Sequence, residues 1–530
     1  MKSDALTYPY ESMRKVVYGN NGLVCTSQPL ASQAGLDILK MGGNAVDAAV
    51  SAAACLTVVE PPSCGIGGDG FALFWKDGKL HGLNSSGYAP SRLSLAELEG
   101  RDKMPKYGWL PVTVPGVVAG WSELIKAHGE LSLEEVLQPA VKYAKEGYPV
   151  SPTVGESWRR AFRNFKGLEG DEFKPWFDTF APNGSPPGIG NVWRSKDHAD
   201  TLKLIGETNG DAFYRGELAE QIDRFSREHG GYLRADDLES YRPEWVDPVA
   251  VDYRGYDIWE LPPNCQGMVA SIALKILNGL ELGVSRSEEA CHKQIEAVKL
   301  AFEVGKRYFT DPNHMEIDHH ELLQDSYTDD LRDRICQKAM GGPDGEETGG
   351  TVYLAAADAK GNMVSYIQSN YMGFGSGLVV PGTGIALHNR GNSFSLDPEH
   401  ANSLEPGKRP FHTIIPGFIT KKGSPIGPFG VMGGHMQPQG HVQVISNMVD
   451  FGLNPQSALD APRWRWEKGK EVFVESGFPK HTALNLERKG HDIKYALHSG
   501  HFGRGQIILK DGGPYCAGTE PRADGHIAVY

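Results

Sequence analysis

Through most of the first two thirds of the chain, apolar positions fall in helical patterns. The run from Ala45 to Val58, after Gly42, Gly43 and Asn44, is small and apolar all round, which predicts a buried helix. Ser132 followed by Glu135 reads as a capping box, opening a helix that stops at Gly147. Helical periodicity returns over residues 266–282, 287–308 and 329–340. The character then changes. Residues 341–350 are polar and glycine-rich, and neither a helix nor a strand tolerates them well. Thr351 to Ala357 reads as a buried strand, residues 358–362 as a turn, and Met363 to Asn370 as a second strand of a hairpin. Short strands, glycine-rich turns and a helix near residues 442–450 follow. Helices first and hairpins later predict stacked helical and sheet layers, an α+β architecture.

The junction at residue 350 carries the first chemical signal. Gly349 and Gly350 precede Thr351 at the start of a buried strand, where a linker alone has no reason to end on a hydroxyl. The Thr351 hydroxyl can attack the Gly350 carbonyl, and the two glycines permit the backbone geometry such an attack needs. Hydrolysis of the resulting ester frees a new N-terminus. Its α-amine, with an ordinary pKa of about 8, can serve as base for the hydroxyl of the same residue. Thr348 is a rival nucleophile, but cutting there leaves three extra residues ahead of the strand. A plain domain boundary is the alternative reading of the linker.

Composition narrows the class. The 530 residues carry a net charge of −13, which argues against a duplex nucleic-acid partner. Residues 1–28 contain charges and no apolar run, so neither a secretory signal nor a membrane span is expected, and a cytoplasmic protein is. Seven scattered cysteines without CxxC pairs predict neither a zinc site nor a disulfide framework. Residues 314–320 hold three histidines, but lack helical ligand spacing with a further partner and read as a solvated loop. The glycines of residues 65–70 lack the lysine of a phosphate loop, and close packing explains them better. No metal and no cofactor is expected.

From Thr351 to Asn370 and on through residues 374–377, the sequence resembles the start of the small subunit in the γ-glutamyltransferase family. The resemblance extends over nearly the whole chain, through residues 42–49, 67–71, 114–120, 252–256, 261–263, 408–410, 432–434 and 520–522 in order. It implies an N-terminal-nucleophile hydrolase with an αββα sandwich, assembled from a large subunit, residues 1–350, and a small subunit, residues 351–530. Cleavage would fall at Gly350–Thr351, and the two subunits would form one composite domain. The resemblance allows a dimer of such heterodimers. It further implies Thr351 as nucleophile, Gly433 and Gly434 as the oxyanion hole, and Asn370 as a contact to the acyl group.

Departures from the family bear on the substrate. Where γ-glutamyl enzymes carry an Arg for the α-carboxylate, this chain has Ser86. Where they carry an Asp for the α-ammonium, it has Ser393, with Arg390 in place of a Gln. The paired serines are His412 and Thr413. Losing a charge-assisted partner costs roughly 1.5–3 kcal/mol per bond. The pattern is similar to the branch of glutaryl-type acylases and oxamate-type amidohydrolases, with Arg390 and His412 as readers of an anionic acyl group. Three readings follow: a γ-glutamyl hydrolase or transferase acting on glutathione, an amidohydrolase for another anionic acyl amide, and a non-catalytic protein that keeps the fold.

Overall fold

The computed structural model describes residues 13–343 and 349–530. Two seven-stranded sheets lie face to face, with helices on both outer sides. The first sheet runs, edge to edge, β14 (His526–Val529), β2 (Gly22–Thr26), β8 (Gly350–Asp358), β9 (Met363–Tyr371), β3 (Asp69–Lys76), β4 (Lys79–Ser85) and β5 (Glu244–Val246). The second runs β1 (Val17–Gly19), β13 (Tyr515–Thr519), β12 (Arg504–Leu509), β11 (Ser424–Met432), β10 (Gly417–Lys421), β7 (Tyr256–Glu260) and β6 (Val249–Tyr253). Helices α1 (Pro29–Lys40), α2 (Ala45–Val59), α3 (Val117–His128), α4 (Leu133–Glu146) and α5 (Pro152–Phe165) belong to the outer layer of the first sheet. Helices α6 (Gly267–Asn278), α7 (Glu288–Tyr308), α8 (Asp325–Asp333) and α9 (Met436–Val449) belong to that of the second. This is the αββα sandwich.

The period-two geometry of a strand explains why Thr351 to Ala357 is apolar throughout. Tyr353, Ala355 and Ala357 face the core between the sheets, while Val352, Leu354 and Ala356 face the helices. Helix α2 is buried at all fifteen positions. Its start is fixed by a capping box in which Asn44 Oδ1 accepts from Val46 N and Asp47 N, and Asp47 Oδ2 accepts from Asn44 N at 2.8 Å. Such a cap contributes about 1 kcal/mol.

Three expectations need correction. The first third of the chain also supplies strands: β3 and β4 form a hairpin through Asp77 and Gly78, both at positive φ, and β3 pairs with β9. The helix expected over residues 329–340 is α8, which starts and stops earlier. Beyond it, Ala339 N donates to Lys489 O at 2.8 Å and Met340 N to Glu296 Oε2 at 2.9 Å, so tertiary partners replace helical ones. The helix expected near residue 442 begins at Met436, with His435 as the one residue between it and the glycines at 433 and 434. Among the described residues no helix is long and apolar enough to cross a membrane.

Candidate active site

The predicted nucleophile sits where the ends of the two sheets meet. Thr351 is 1% exposed, at the start of β8, where the pairing with β9 shifts register between Gly350 and Val352. Ser369 of β9 faces it. Ser369 Oγ donates to Gly350 O at 2.6 Å and accepts from Tyr371 N at 2.8 Å. Thr351 Oγ1 lies 3.1 Å from the same oxygen. Since the Ser369 proton is committed to the Gly350 carbonyl, the Thr351 hydroxyl is the donor of that pair, and its lone pairs are left for attack. One serine thus accepts from the predicted nucleophile and polarises the carbonyl that this hydroxyl would attack. Sequence reasoning missed Ser369, yet alternation could have found it: Ser365, Ile367 and Ser369 share the face of β9 toward the second sheet.

Close approach explains the glycines before Thr351. A Cβ on Gly349 would stand 2.5 Å from the Tyr371 carbonyl oxygen, and one on Gly350 would stand 3.1 Å from that of Pro62. Thr348 lies outside the described residues. Gly433 and Gly434 follow β11, with φ of 142° and 59°, values that only glycine adopts readily. Their carbonyls are occupied: Met436 N donates to Gly433 O at 3.1 Å, and Gln437 N and Gln266 Nε2 donate to Gly434 O at 3.1 and 2.8 Å. A cleft of about 360 Å³ is lined by Gly349, Gly350 and Gly433 together.

On the other side of Tyr371 lies a buried polar shell. The Arg390 guanidinium is 0% exposed and stacks 4.0 Å from the Tyr371 ring centroid. It donates from NH1 to Thr413 Oγ1 at 2.9 Å, while its Nε and NH2 have no partner among the described residues. Burial brings its pKa down to about 10, against the pull of Tyr371 and Asp69. Asn370 is equally buried, and both its side-chain oxygen and nitrogen lack partners. Gly65 and Gly68 make room for it, since a Cβ at either would come within 2.7 Å of the Asn370 amide. That is the close packing expected of the glycine-rich residues 65–70.

The remaining predicted residues act on the protein itself. His412 Nε2 lies 2.9 Å from Asp69 Oδ2, and its Nδ1 accepts from Ile414 N at 3.4 Å, so both ring nitrogens are engaged. Burial, then the charge of Arg390, lowers the His412 pKa to about 3 and keeps the ring neutral. His388 Nδ1 stands 3.2 Å from the same Asp69 oxygen. Burial alone would raise the Asp69 carboxyl, but His388 and His412 hold it well below its ordinary value. The Ser393 hydroxyl reaches the carbonyls of Arg390 and Phe411, each at 2.9 Å. Ser86 Oγ donates to Asn84 Oδ1 at 2.7 Å. Neither serine carries the charge that reads a glutamyl head.

Among the described residues, two groups of side chains have metal-ligand chemistry. Asp318, His319 and His320 bring donor atoms together on the loop before α8, with Asp318 and His320 exposed and His319 partly buried. His292, Glu296 and His491 do so in the interior, but Lys299 Nζ already donates to Glu296 Oε1 at 2.8 Å and supplies the cation there.

Comparison with known proteins agrees with the fold. A model of the family described as Gamma-glutamyltranspeptidase matches residues 31–530. The chain is 38% identical over 525 residues to the glutathione hydrolase-like YwrD proenzyme of Bacillus subtilis, covering 97% of this chain and 99% of that one. It is 32% identical to the oxamate amidohydrolase proenzyme of Klebsiella pneumoniae, over 96% of this chain and 98% of the relative. Among solved structures, a cephalosporin acylase from Bacillus halodurans superposes with a TM-score of 0.97 at 57% identity, over 100% of this chain and 99% of that one. With the sandwich and these matches in agreement, the chain belongs to the gamma-glutamyltranspeptidase family and is one of its amide-cleaving enzymes.

Proposed function

We propose that the chain cuts itself between Gly350 and Thr351 and then hydrolyses amides of a carboxylate-bearing acyl group that lacks an α-ammonium. In the uncut chain, Thr351 Oγ1 attacks the Gly350 carbonyl carbon while the Ser369 hydroxyl stabilises the oxygen that gains charge. The acyl group moves from nitrogen to oxygen, and water releases residues 1–350 from residues 351–530. The freed α-amine of Thr351 then takes the hydroxyl proton as the oxygen attacks a substrate amide. The amides of Gly433 and Gly434 steady the tetrahedral oxyanion, the amine leaves with a proton, and water hydrolyses the acyl-threonine ester.

The observation that carries the substrate reading is the buried Arg390 guanidinium, with two nitrogens unpartnered in the same shell as Asn370. A buried cation is costly without a counterion. Asp69 is the carboxylate whose charge acts on Arg390, and it is already shared by His388 and His412. An acyl carboxylate on Arg390 and the acyl carbonyl near Asn370 complete the shell. An α-ammonium has no acidic partner at Ser393, which sets this reading above a glutathione hydrolase. The names of the cephalosporin acylase and oxamate amidohydrolase relatives support the same class.

A panel of p-nitroanilides tests it. Glutaryl or oxalyl anilide should be hydrolysed with kcat/KM at least about ten-fold above that of the γ-glutamyl anilide, the factor that about 1.4 kcal/mol of recognition supplies. A preference for the γ-glutamyl compound would overturn the assignment.

A further inference from the structure

The residue that ends helix α2 ties together parts of the chain that are far apart in sequence. Glu60 is its C-cap and is buried. Glu60 Oε1 accepts from Ser63 Oγ at 2.8 Å, and Oε2 accepts at 2.5 Å from the hydroxyl of Ser27, the residue after β2. Its backbone carbonyl accepts from Ser63 N at 3.0 Å and Cys64 N at 3.4 Å, which folds residues 60–64 into a tight shelf. Gly350 lies against that shelf: a Cβ there would stand 3.1 Å from Pro62 O and 3.4 Å from Ser63 Cα. The shelf also holds the end of β9 and the turn beyond it. Ser63 O accepts from Asn370 N at 3.3 Å, and Pro62 O from Phe374 N at 3.0 Å.

The same carboxylate pairs with the second sheet. Arg504, the first residue of β12, brings NH1 to 3.7 Å from Glu60 Oε1, and the two side chains are only 14% and 3% exposed, so solvent ions screen the pair weakly. Arg504 pairs with Met432 in the ladder between β11 and β12, and Gly433 follows. A Cβ on Gly433 would stand 3.1 Å from Gly503 Cα, so the chain entering β12 borders the two glycines. Pro62, Ser63, Gly350, Met432, Gly433 and Arg504 line one cleft. Glu60 and Arg504 thus join the piece that carries the Gly350 carbonyl to the piece that carries Gly433 and Gly434. We propose, taking the roles of Thr351 and these glycines from the reading above, that Glu60 is a positioning residue: through Ser63 and Arg504 its carboxylate fixes the spacing between the Thr351 hydroxyl and the oxyanion glycines. A misplacement of about 1 Å in such a geometry can cost on the order of 10²-fold in rate. Burial raises the Glu60 pKa and Asp524 adds to the rise, while Arg504, Ser27 and Ser63 oppose it. Cys64 and Tyr148, which also face it, are pushed up by burial first and then by Glu60 itself, and stay neutral. Acidification therefore neutralises Glu60 above the ordinary glutamate value of about 4.3 and frees Arg504 from it.

The test follows self-cleavage of freshly translated full-length chain on denaturing gels between about pH 5 and pH 8, and then turnover of glutaryl p-nitroanilide by the fully cut enzyme. The wild-type cleavage rate should fall on the acid side of this range. Glu60→Gln keeps partners for both serines, whose hydroxyls can reverse direction, but removes the charge. It should cut roughly ten-fold more slowly at pH 8 and lose the acid-side fall. Arg504→Met should do the same, and the double variant should be no slower than the slower single one, because the two groups act as a pair. In the cut enzyme each variant should lower kcat by roughly ten-fold and change KM by less than about two-fold, a split that a general loss of folding does not produce. His501→Gln, in the same cleft, should keep the acid-side fall. Wild-type rates in the variants, an acid-side fall that survives Glu60→Gln, or losses that add in the double variant would overturn the positioning role and leave the cut standing. A wild-type chain that stays whole overturns the cut and the positioning role with it. Should Glu60→Gln fail to fold, Arg504→Met is read by the same pH profile and kcat–KM split, and a wild-type profile in that variant overturns the role.

Discussion

Around Thr351 the polar side-chain atoms have partners inside the protein, whereas around Arg390 four have none among the described residues: Nε and NH2 of Arg390 and both amide atoms of Asn370. The two regions share β9 and are only a residue apart at Ser369 and Asn370. At the first, the protein's own Gly350 carbonyl completes the hydrogen bonding, as expected where a segment of the chain is itself the first substrate. At the second, burial without partners leaves unmet demand of a definite kind, two donor nitrogens of a cation and one amide. The comparison separates groups that act on a bond from groups that recognise a molecule, and substitutions in each should fail differently.

The largest effect is expected at the satisfied end. Ser369→Ala removes the donor to the Gly350 carbonyl and should slow self-cleavage by roughly 10²–10³-fold, read on denaturing gels over time. Its melting temperature should change little in comparison. Cleavage at the wild-type rate would mean that the serine only fills space.

Next comes the unsatisfied end. Arg390→Met should lower kcat/KM for a glutaryl anilide by roughly 10–100-fold, corresponding to about 1.5–3 kcal/mol for a lost charge-assisted pair. Self-cleavage should proceed normally. Stability should be equal or higher, because a buried unpaired charge is exchanged for an apolar side chain of similar length. A variant that fails to cut itself would join the two regions into one.

The histidine under that pocket gives a pH test. An unfolded histidine titrates near 6.5, whereas His412 in the fold titrates at about 3. Between those values the unfolded chain binds a proton that the native state refuses, so stability falls as pH drops through the window. Asp69 acts in the same direction, since its depressed pKa contributes stability above the ordinary carboxylate range that is lost on acidification. His412→Gln keeps a donor toward Asp69 without the titration. The loss of urea midpoint between pH 7 and pH 4.5 should shrink in this variant, though not vanish, because His198 and His491 are lowered to about 4 and about 3 by burial. An undiminished loss would place the acid sensitivity elsewhere. The smallest effect belongs to Ser393→Ala, about 1 kcal/mol of stability from one backbone-directed hydrogen bond, with KM changed by less than about three-fold.

Legibility from sequence followed the same division. The hairpin of β8 and β9 was readable because each face of each strand meets a different apolar layer, leaving an uninterrupted apolar run. Helix α2 and the cap of α4 were readable because their signals are local. The Asp77–Gly78 turn was an equally local signal for the β3–β4 hairpin, and it passed unread beneath the helical pattern around it. Ser369 and Asp69 were not read because their importance depends on which strand lies opposite, a fact fixed by pairing across the fold. Arg390 was legible as a departure from a family pattern. Its burial against Tyr371 was not, because a charged side chain is ordinarily expected at the surface.

The claim on which both regions depend is the cut at residue 350, and intact-mass measurement with N-terminal sequencing of the purified protein tests it directly. Two fragments should appear, the smaller beginning Thr-Val-Tyr-Leu, and Thr351→Ala should remain one chain of 530 residues. A folded wild-type protein that stays whole after long incubation, or a small fragment beginning at another residue, would contradict the account.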